Sequence, residues 1–504
     1  MLNDDPNLFE QAGDFNLEVC NIISYRRNDT DGVNHQVNIK PIINELTITE
    51  DVLSNGILGT IVVFDAQDIR TMTPITGYEK LELKFNTPGF PGLNAVREEG
   101  HPFQIYKIER TKVDDTNALA QSYTIHFCSP ELYYSSITRV SQAYEGPLEF
   151  AVDDILRSTD YLRTKKKFFF EPTKTNTKVV IPNIKPLNAV HMLSQMSQSQ
   201  KYENAGYLFY ENFDGYHFRS IESMIAVDNA RPRPAVYDYN YQVSRGGEPD
   251  NRANPNTKLQ NPFEDLKNII EYSFDRPVNT LYNLNEGVYA SKLVLHDMFY
   301  KTIKEYDFDY STDFEKHYHL ETDDLDKASL KGILPLAPFE DTRQRLTENA
   351  NAKLMTMCDN QKIHDNFEFP PLKDIVQQSI SQKLNLSNLH LSMRVYGNSY
   401  LRAGDVVNVN LPFQRPLIEN QERQEHPYYS GRYLILAIRH ELNVMKKNYT
   451  MNIRATKDSV VNEFPTEPRP FTLEQKNYSQ QIKSIYDIDA GISINDTGRL
   501  LGGI

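Results

Sequence analysis

The sequence contains no tryptophan and only three cysteines, Cys20, Cys128 and Cys358, in 504 residues. The cysteines lie far apart and no two of them form a CxxC pair, so the chain offers neither a disulfide framework nor a cysteine-rich zinc site. The pattern predicts reduced, buried thiols in a protein that folds in a cytosol-like compartment.

Long apolar runs are also missing. No window approaches 18 consecutive apolar residues, and the acidic N-terminus MLNDDPNLFEQAG has no apolar segment of signal-peptide length. We therefore expect neither a membrane span nor a signal peptide. The net charge of −14 further disfavours a protein that binds nucleic acid through bulk electrostatics.

The common catalytic motifs are absent as well. GxSxG, GxxxxGK[ST] and GxGxxG do not occur, and His440-Glu441 is not part of HExxH because Val444 stands where the second histidine would be. The segment HYH (317–319) supplies two imidazoles without a third ligand nearby, and the acids of Asp153-Asp154 and Asp323-Asp324 are adjacent and so point apart. We predict no catalytic residue, no metal ligand and no cofactor, and we expect a protein that is not an enzyme.

One basic run has two interpretations. KKKFFF (165–170) combines lysines with aromatics and could contact phosphate or another anionic surface. Three lysines that cap a buried strand explain the same run with fewer assumptions.

What the sequence does contain is β-strand patterning in two separate regions. Short β-branched and aromatic segments separated by turn residues fill the first third, return at 268–274 and 289–297, and resume after residue 388. Between them, residues 147–162, 186–196 and 371–384 have helical periodicity, and 207–218 reads as a hairpin that turns at Asp214-Gly215. We predict a β-rich α+β protein with two similar small β-barrels, the second of them discontinuous.

The two β regions resemble each other. GYEKLELKF, FQIYKIERT and QSYTIHFCS recur in order as AGDVVNVNLP, RYLILAIRHE and KNYTMNIRA, and IVVFD (61–65) parallels LVLHD (293–297). The matched positions are Gly77 with Gly404, Ile108 with Ile438, and Tyr123 with Tyr449. The predicted division is a first barrel (1–129), an α/β module with a polar linker (130–262), the first part of a second barrel (263–297), an insertion with helices (298–387), the rest of the second barrel (388–460) and a C-terminal tail (461–504).

One strand of the second barrel is apolar on both sides. In PYYSGRYLILAIRHELN (427–443), strict alternation places Ile435 and Ala437 on one face, and Leu434, Leu436 and Ile438 on the other. We expect one face to fill the barrel and the other to pack against a neighbouring module or subunit.

These segments also carry a family likeness. ELTITEDVLSNGILGTIVVFDA with TPITGYEKLELKF resembles the first barrel of baseplate central hub subunits from contractile-tailed, T-even-like bacteriophages, and AGYLFYENFDGYHFRSIESM looks like the inserted domain of that family. A second pattern is similar to the family's second barrel and is carried by Gly397, Leu401, Gly404, Asp405, Tyr429, Ser430, Gly431, Tyr433, Leu434, Ile435 and His440. The insertion near 298–387 and the tail after 460 are longer than a minimal hub requires.

The resemblance implies a structural role. A homotrimer with two barrels per chain would form a ring that joins the six-fold tail tube to the three-fold central spike, and an acidic lumen would suit DNA passage. The implied partners are the chain itself, the central spike protein, tail tube or tube-initiator proteins, and the tape measure and wedge proteins. The implied location is the tail baseplate of the virion, after assembly in the host cytoplasm. No specific nucleic acid is implied.

Two other functions remain open at this stage. A tail-associated enzyme that degrades cell wall would use acids of the α/β module in general acid–base catalysis. A receptor-binding or polysaccharide-binding tail protein would use the 30 tyrosines as stacking surfaces.

Overall fold

The structure is a computed structural model of the chain. It describes residues 11–24, 35–66, 69, 75–97, 101–113, 121–174, 177–226, 236–241, 265–276, 279–314, 316–321, 334–335, 350–359, 371–412, 426 and 428–460. Asp323-Asp324, most of the polar linker and the C-terminal tail lie outside these residues.

The first β region forms eight strands. They are β1 (Asn16–Ser24), β2 (His35–Asn38), β3 (Ile43–Asp51), β4 (Leu58–Asp65), β5 (Lys80–Asn86), β6 (Leu93–Ala95), β7 (Phe103–Val113) and β8 (Gln121–Cys128). A 3₁₀ turn, Lys40–Ile42, with proline in its first turn, leads into β3.

A mixed module follows. Its elements are α1 (Pro130–Ile137), β9 (Val140–Gly146), α2 (Leu148–Arg157), β10 (Phe168–Phe170), β11 (Thr177–Ile184), α3 (Pro186–Met196), β12 (Tyr207–Asn212), β13 (Gly215–Ser220) and α4 (Ile221–Ile225). Helix α2 buries Leu148, Val152, Ile155 and Leu156 on one side, as its periodicity predicts. The predicted hairpin is β12–β13, whose turn residue Gly215 has a φ of 140° and approaches the carbonyl of Lys167 too closely for a side chain.

The remaining elements complete the second β region and the insertion. They are β14 (Val236–Asn240), β15 (Ile269–Arg276), α5 (Thr280–Glu286), β16 (Ala290–Asp297), β17 (Thr302–Asp309), α6 (Tyr310–Phe314), β18 (Leu334–Pro335), a 3₁₀ turn (Ala350–Ala352), β19 (Leu354–Asp359), α7 (Leu372–Asn385), β20 (His390–Tyr396), β21 (Val406–Asn410), β22 (Gly431–Asn443), β23 (Asn448–Thr456) and β24 (Ser459–Val460).

Within the described residues, one large sheet joins the two β regions. Its main path runs β15-β20-β23-β22-β3-β4-β8-β7-β5-β1-β2, and β21 with β14 branches from β22. The path with its branch contains a similar order of six strands twice, although β14 pairs with β21 in parallel whereas β1 pairs with β5 in antiparallel register. We call β3-β4-β8-β7-β5-β1 the first repeat unit and β15-β20-β23-β22-β21-β14 the second repeat unit. They meet where β22 pairs with β3 in antiparallel register.

The topology corrects two sequence predictions. LVLHD (293–297) does not belong to the second unit, because β16 pairs with β17 and β19 in a separate three-stranded sheet. The strand that occupies the place of β4 is β20. A five-residue apolar match cannot specify a pairing partner. The second correction concerns the polar linker, in which Val236–Asn240 forms β14 beside β21.

The apolar residues form two large cores and smaller clusters. The main core fills both repeat units and includes Leu46, Phe85, Ile125, Ile435 and Ile453. A second core lies inside the α/β module. A third cluster, which we call the bridging cluster, joins Leu434 and Leu436 of β22 to Leu208, Tyr210 and Ile221 of the module. Of the three cysteines, Cys20 and Cys128 are buried as predicted, whereas Cys358 is exposed.

Candidate functional site

Strand β22 changes partner in its middle. Its residues 431–434 pair with β21, and residues 437–443 pair with β3, so a single strand links the two repeat units. The register against β23 shifts between Ile435 and Ala437, which marks a β-bulge at the point where the partner changes.

The bulge overturns the strict alternation predicted for this strand. Ile435 and Ile438 both enter the main core, although alternation placed them on opposite faces. Leu434 and Leu436 point into the bridging cluster and pack against the α/β module. The second apolar face is therefore covered by a neighbouring module of the same chain, and the extra residue at the bulge accounts for the error.

Strand β7 carries the same bulge at the matching position. Its register against β8 shifts between Ile105 and Lys107. In the alignment that matches Ile108 with Ile438, Ile105 corresponds to Ile435 and Lys107 corresponds to Ala437. Before the bulge, Phe103 and Gln104 pair with β5. After it, residues 107–113 have no strand partner on that side among the described residues. Tyr106 is 50% exposed, whereas its counterpart Leu436 is buried.

A buried polar centre lies where the modules meet. Glu50 of β3 is fully buried, and its carboxylate accepts hydrogen bonds from the backbone of Phe213 (3.2 Å) and of Ala403 (3.0 Å). One side chain of the first repeat unit therefore binds the hairpin turn of the α/β module and a loop of the second unit. Residues 50, 213 and 403 belong to no common motif, so no local pattern in the sequence predicts this contact.

Aromatic stacking extends the polar centre. The ring of Phe213 lies between the imidazole of His440 (4.8 Å between ring centroids) and the guanidinium of Arg402 (5.1 Å to the ring centroid). Arg402 is itself buried and bonds to Asp214 and to the carbonyl of Leu401. His440 contacts the hydroxyl of Tyr449 through Nδ1 at 2.7 Å.

The charge of His440 follows from its surroundings. Burial lowers the pKa of His440, and the Glu50 carboxylate, 3.8 Å from Nε2, offsets that effect only in part. We conclude that the imidazole is neutral and serves packing and hydrogen bonding. Glu441 points to the opposite face of β22, where it lies beside Arg439, so the side chains of His440 and Glu441 do not meet.

The face of the large sheet that points away from the main core, which we call the outer face, carries a polar row. Register places Glu271, Arg394, Asn452, Arg439 and Thr49 in one row that crosses both repeat units. Its cations lie beside carboxylates in the pairs Arg394–Glu271 (3.6 Å), Arg439–Glu441 (3.1 Å), Arg454–Asp51 (3.0 Å) and Lys107–Glu109 (3.2 Å).

The two histidines of HYH (317–319) are buried and lie beside carboxylates. His317 contacts Glu222 of α4 at 2.9 Å and Asp313 of α6 at 3.5 Å, and His319 contacts Asp458 at 2.9 Å. Burial alone would lower the pKa of His317, but hydrogen bonds to Asp313 and Glu222 outweigh it and raise the pKa to about 9. These histidines attach the insertion to the α/β module and to the end of β23.

The basic run KKKFFF divides into different environments. Lys166 is half-buried and bridges Glu131 (2.8 Å) and Glu211 (2.6 Å), whereas Lys165 and Lys167 are exposed. Burial raises the pKa of Glu211 in spite of the adjacent ammonium group. Burial would raise the pKa of Glu131 too, but Lys166 and Thr164 outweigh it and hold that pKa below its ordinary value. Of the three residues that follow, Phe168 and Phe169 are half-buried and Phe170 is exposed.

The other candidate groups are solvated or unclustered. Asp153 pairs with Arg157 (3.3 Å), and Asp154 accepts from the hydroxyl of Tyr144 (2.8 Å). In the part of the chain that the structure describes, no three His, Cys, Asp or Glu side chains form a group that could hold a metal ion. No helix among the described residues is long and apolar enough to cross a membrane.

Comparison with solved structures finds tail proteins. The chain is similar to a tail protein from Neisseria meningitidis MC58 (11% identity over 88% of this chain and 96% of that one, TM-score 0.46) and to the 43 kDa tail protein of prophage MuSo2 from Shewanella oneidensis (9%, 87% and 98%, TM-score 0.45). It is also similar to an E. coli component of the type VI secretion system (11%, 85% and 78%, TM-score 0.37). At TM-scores below 0.5 these likenesses carry no argument about function. No family model and no curated protein sequence matches the chain.

Proposed function

We propose that the chain is the structural hub of a contractile-tail baseplate, a homotrimeric ring that joins a six-fold tail tube to a three-fold spike. The observation that carries the proposal is that β22 pairs with β3, whereas the equivalent half of β7 has no strand partner among the described residues. The hub likeness of the sequence motifs supports the same conclusion.

The comparison of β22 with β7 follows from the internal repeat. In the order of the repeat units, β7 corresponds to β22 and β15 corresponds to β3. Inside one chain, the half of β22 that follows its bulge pairs with β3. The same half of β7 lacks a partner among the described residues, and β15 is the end strand of the main sheet path, paired along its length with β20 alone. The β7 edge of one copy therefore fits the β15 edge of the next.

The repeat also predicts the register of this contact. Thr49 lies opposite Leu58 of β4 as Arg276 lies opposite His390 of β20. Leu58 and His390 are equivalent positions, because they connect through β8 and β23 to Gln104 of β7 and to Leu434 of β22. In the same alignment, Arg439 of β22 corresponds to Glu109 of β7. Since Arg439 lies opposite Thr49, Glu109 should lie opposite Arg276 of the next copy. This pair brings opposite charges together.

A head-to-tail contact of this kind closes into a ring when the rotation per copy fits. Three copies with two repeat units each would present six similar units to the tube and three identical chains to the spike. In this proposal each repeat unit forms one of the predicted barrels. The α/β module and the insertion are attached to the ring and do not form part of it. The tape measure and wedge proteins would be further partners in the virion.

The ring would place the outer face of the sheet in its lumen. The main core lies on the other side of the sheet, and the α/β module covers the part of β22 around Leu434 and Leu436. The lumen would then carry charges of both signs rather than a uniformly acidic wall. Because the cations of the four pairs lie beside carboxylates, little positive charge would remain to retain DNA.

A cysteine pair tests both the ring and its register. In a Cys358→Ser background, Glu109→Cys with Arg276→Cys should oxidise to a covalent trimer, because opposed strand positions meet disulfide geometry. The matched control, Glu109→Cys with Glu271→Cys, displaces the partner by five residues, about 16 Å along the strand, and should not cross-link. Light scattering of the native protein should give a mass near three times 58.3 kDa. A chain that stays monomeric and uncross-linked with all its tail partners present would refute the proposal.

A further inference from the structure

A cavity of about 560 Å³ lies between the first repeat unit and the α/β module. One side is formed by residues 92–95 with Phe103, and the other by residues 165–169 and 211–215. Its volume falls within the range of sites that bind small ligands or short peptide segments. No part of the proposed ring contact uses this cavity.

Two lysines line the cavity without a carboxylate partner. Lys165 and Lys167 are exposed, and no carboxylate of the described residues forms an ion pair with either. The neighbouring Lys166 is already neutralised by Glu131 and Glu211. A structural role therefore explains only Lys166. Lys165 and Lys167 place positive charge at the mouth of this cavity, in a chain whose net charge is negative.

The walls of the cavity are partly apolar. Ile57, Leu93, Phe103 and Phe169 contribute hydrophobic surface, while Glu211 and Asp214 contribute carboxylates. Inorganic phosphate would leave the apolar walls unused. A ligand that satisfies the lysines and the walls together carries both carboxylates and apolar side chains.

We propose that this cavity docks an extended acidic peptide segment of a partner protein. Carboxylates on alternate residues of the segment would contact Lys165 and Lys167, which are separated by a single residue. The apolar side chains between them would pack on Leu93 and Phe169. The site goes beyond the proposed ring, since binding here requires neither trimerisation nor the β7 edge.

Fluorescence polarisation with the full chain tests the proposal. The probe is a fluorescein-labelled hexapeptide of alternating glutamate and leucine, compared with the same peptide in which glutamine replaces glutamate. Lys165→Glu with Lys167→Glu should weaken binding of the acidic peptide on the order of tenfold. The matched control, Lys446→Glu with Lys447→Glu, changes two exposed lysines in a distant turn and should leave the affinity unchanged.

The outcomes separate the alternatives. Binding of the acidic peptide that falls with rising salt, and is lost only in the Lys165/Lys167 variant, supports the site. Equal binding of the glutamine peptide, equal loss in both double variants, or displacement by inorganic phosphate alone would overturn it. The mass of the assembly, measured in parallel, reports on the ring, so the two proposals can fail separately.

Discussion

Single residues in the polar centre make contacts between distant segments that no local sequence pattern predicts. Glu50 accepts two backbone hydrogen bonds from distant segments and is fully buried, so its contribution depends on having two acceptor oxygens. His440, which draws attention as half of a His-Glu pair, packs on Phe213 and bonds to Tyr449. The residue that the motif suggested packs inside the polar centre, and the acid beside it there is Glu50, from a strand almost 400 residues earlier.

We predict that Glu50→Gln is strongly destabilising. Glutamine has one acceptor oxygen, so one of the two buried amides would face an NH₂ group, which should cost about 2 to 4 kcal/mol of unfolding free energy. Glu45→Gln, on the outer face of the same strand, should change stability by less than about 0.5 kcal/mol. Urea denaturation at one protein concentration measures both. Equal effects of the two substitutions would show that the two hydrogen bonds of Glu50 do not contribute to stability as proposed.

Among the structural elements, the ion pairs of His317 attach the insertion to the α/β module. The imidazole lies between Glu222 of α4 and Asp313 of α6, and the nitrogen of the Gln378 amide lies 2.6 Å from Nε2. When His317 is protonated, Nε2 carries a proton and can only donate a hydrogen bond. The side-chain amide of Gln378 must then present its oxygen, not its nitrogen, to the imidazole. The attachment should therefore depend on pH.

The direction of that dependence follows from the pKa of His317. It rises from 6.5 to about 9 on folding, so the stabilisation is complete below about pH 6.5 and is lost as the pH increases through 9. The loss should be on the order of 3 kcal/mol. His317→Gln should remove this slope from a plot of unfolding free energy against pH, whereas His296→Gln, at an exposed position of β16, should keep it. A wild-type curve that is flat from pH 6.5 to 9 would contradict the assignment.

How far the sequence predicts these elements depends on how local their signals are. Helix α3 begins at Pro186 as predicted, and the hairpin turns at Asp214-Gly215, because both are encoded within a few residues. The partner of LVLHD was predicted wrongly, since an apolar strand of five residues fits more than one sheet. The bulge at Ile435–Ala437 was missed because a single extra residue leaves no trace in the alternation. The polar centre was missed because its members come from four separate segments.

At the scale of the whole molecule, the two repeat units pair with each other through β22 and β3. In the proposed ring, the equivalent contact of β7 is made with β15 of another copy. Leu436 and Tyr106 occupy the same position in the two bulges, but Leu436 is buried by the chain's own modules while Tyr106 is half exposed. If β7 meets β15 of the next copy, the surroundings of Tyr106 become similar to those of Leu436 on assembly. The two positions should then respond to the same substitution in different ways.

We predict that Leu436→Glu unfolds the chain, because an unpaired charge would be buried at a cost of several kcal/mol. Tyr106→Glu should leave a folded monomer that fails to form the ring, since its side chain becomes enclosed only in the assembly. Phe150→Glu, which changes an aromatic residue that is 62% exposed on α2, should remain folded and trimeric. Circular dichroism reports the fold, and light scattering reports the mass of each variant. A trimeric Tyr106→Glu protein would show that the β7 edge is not the subunit contact, whatever the fate of Leu436→Glu.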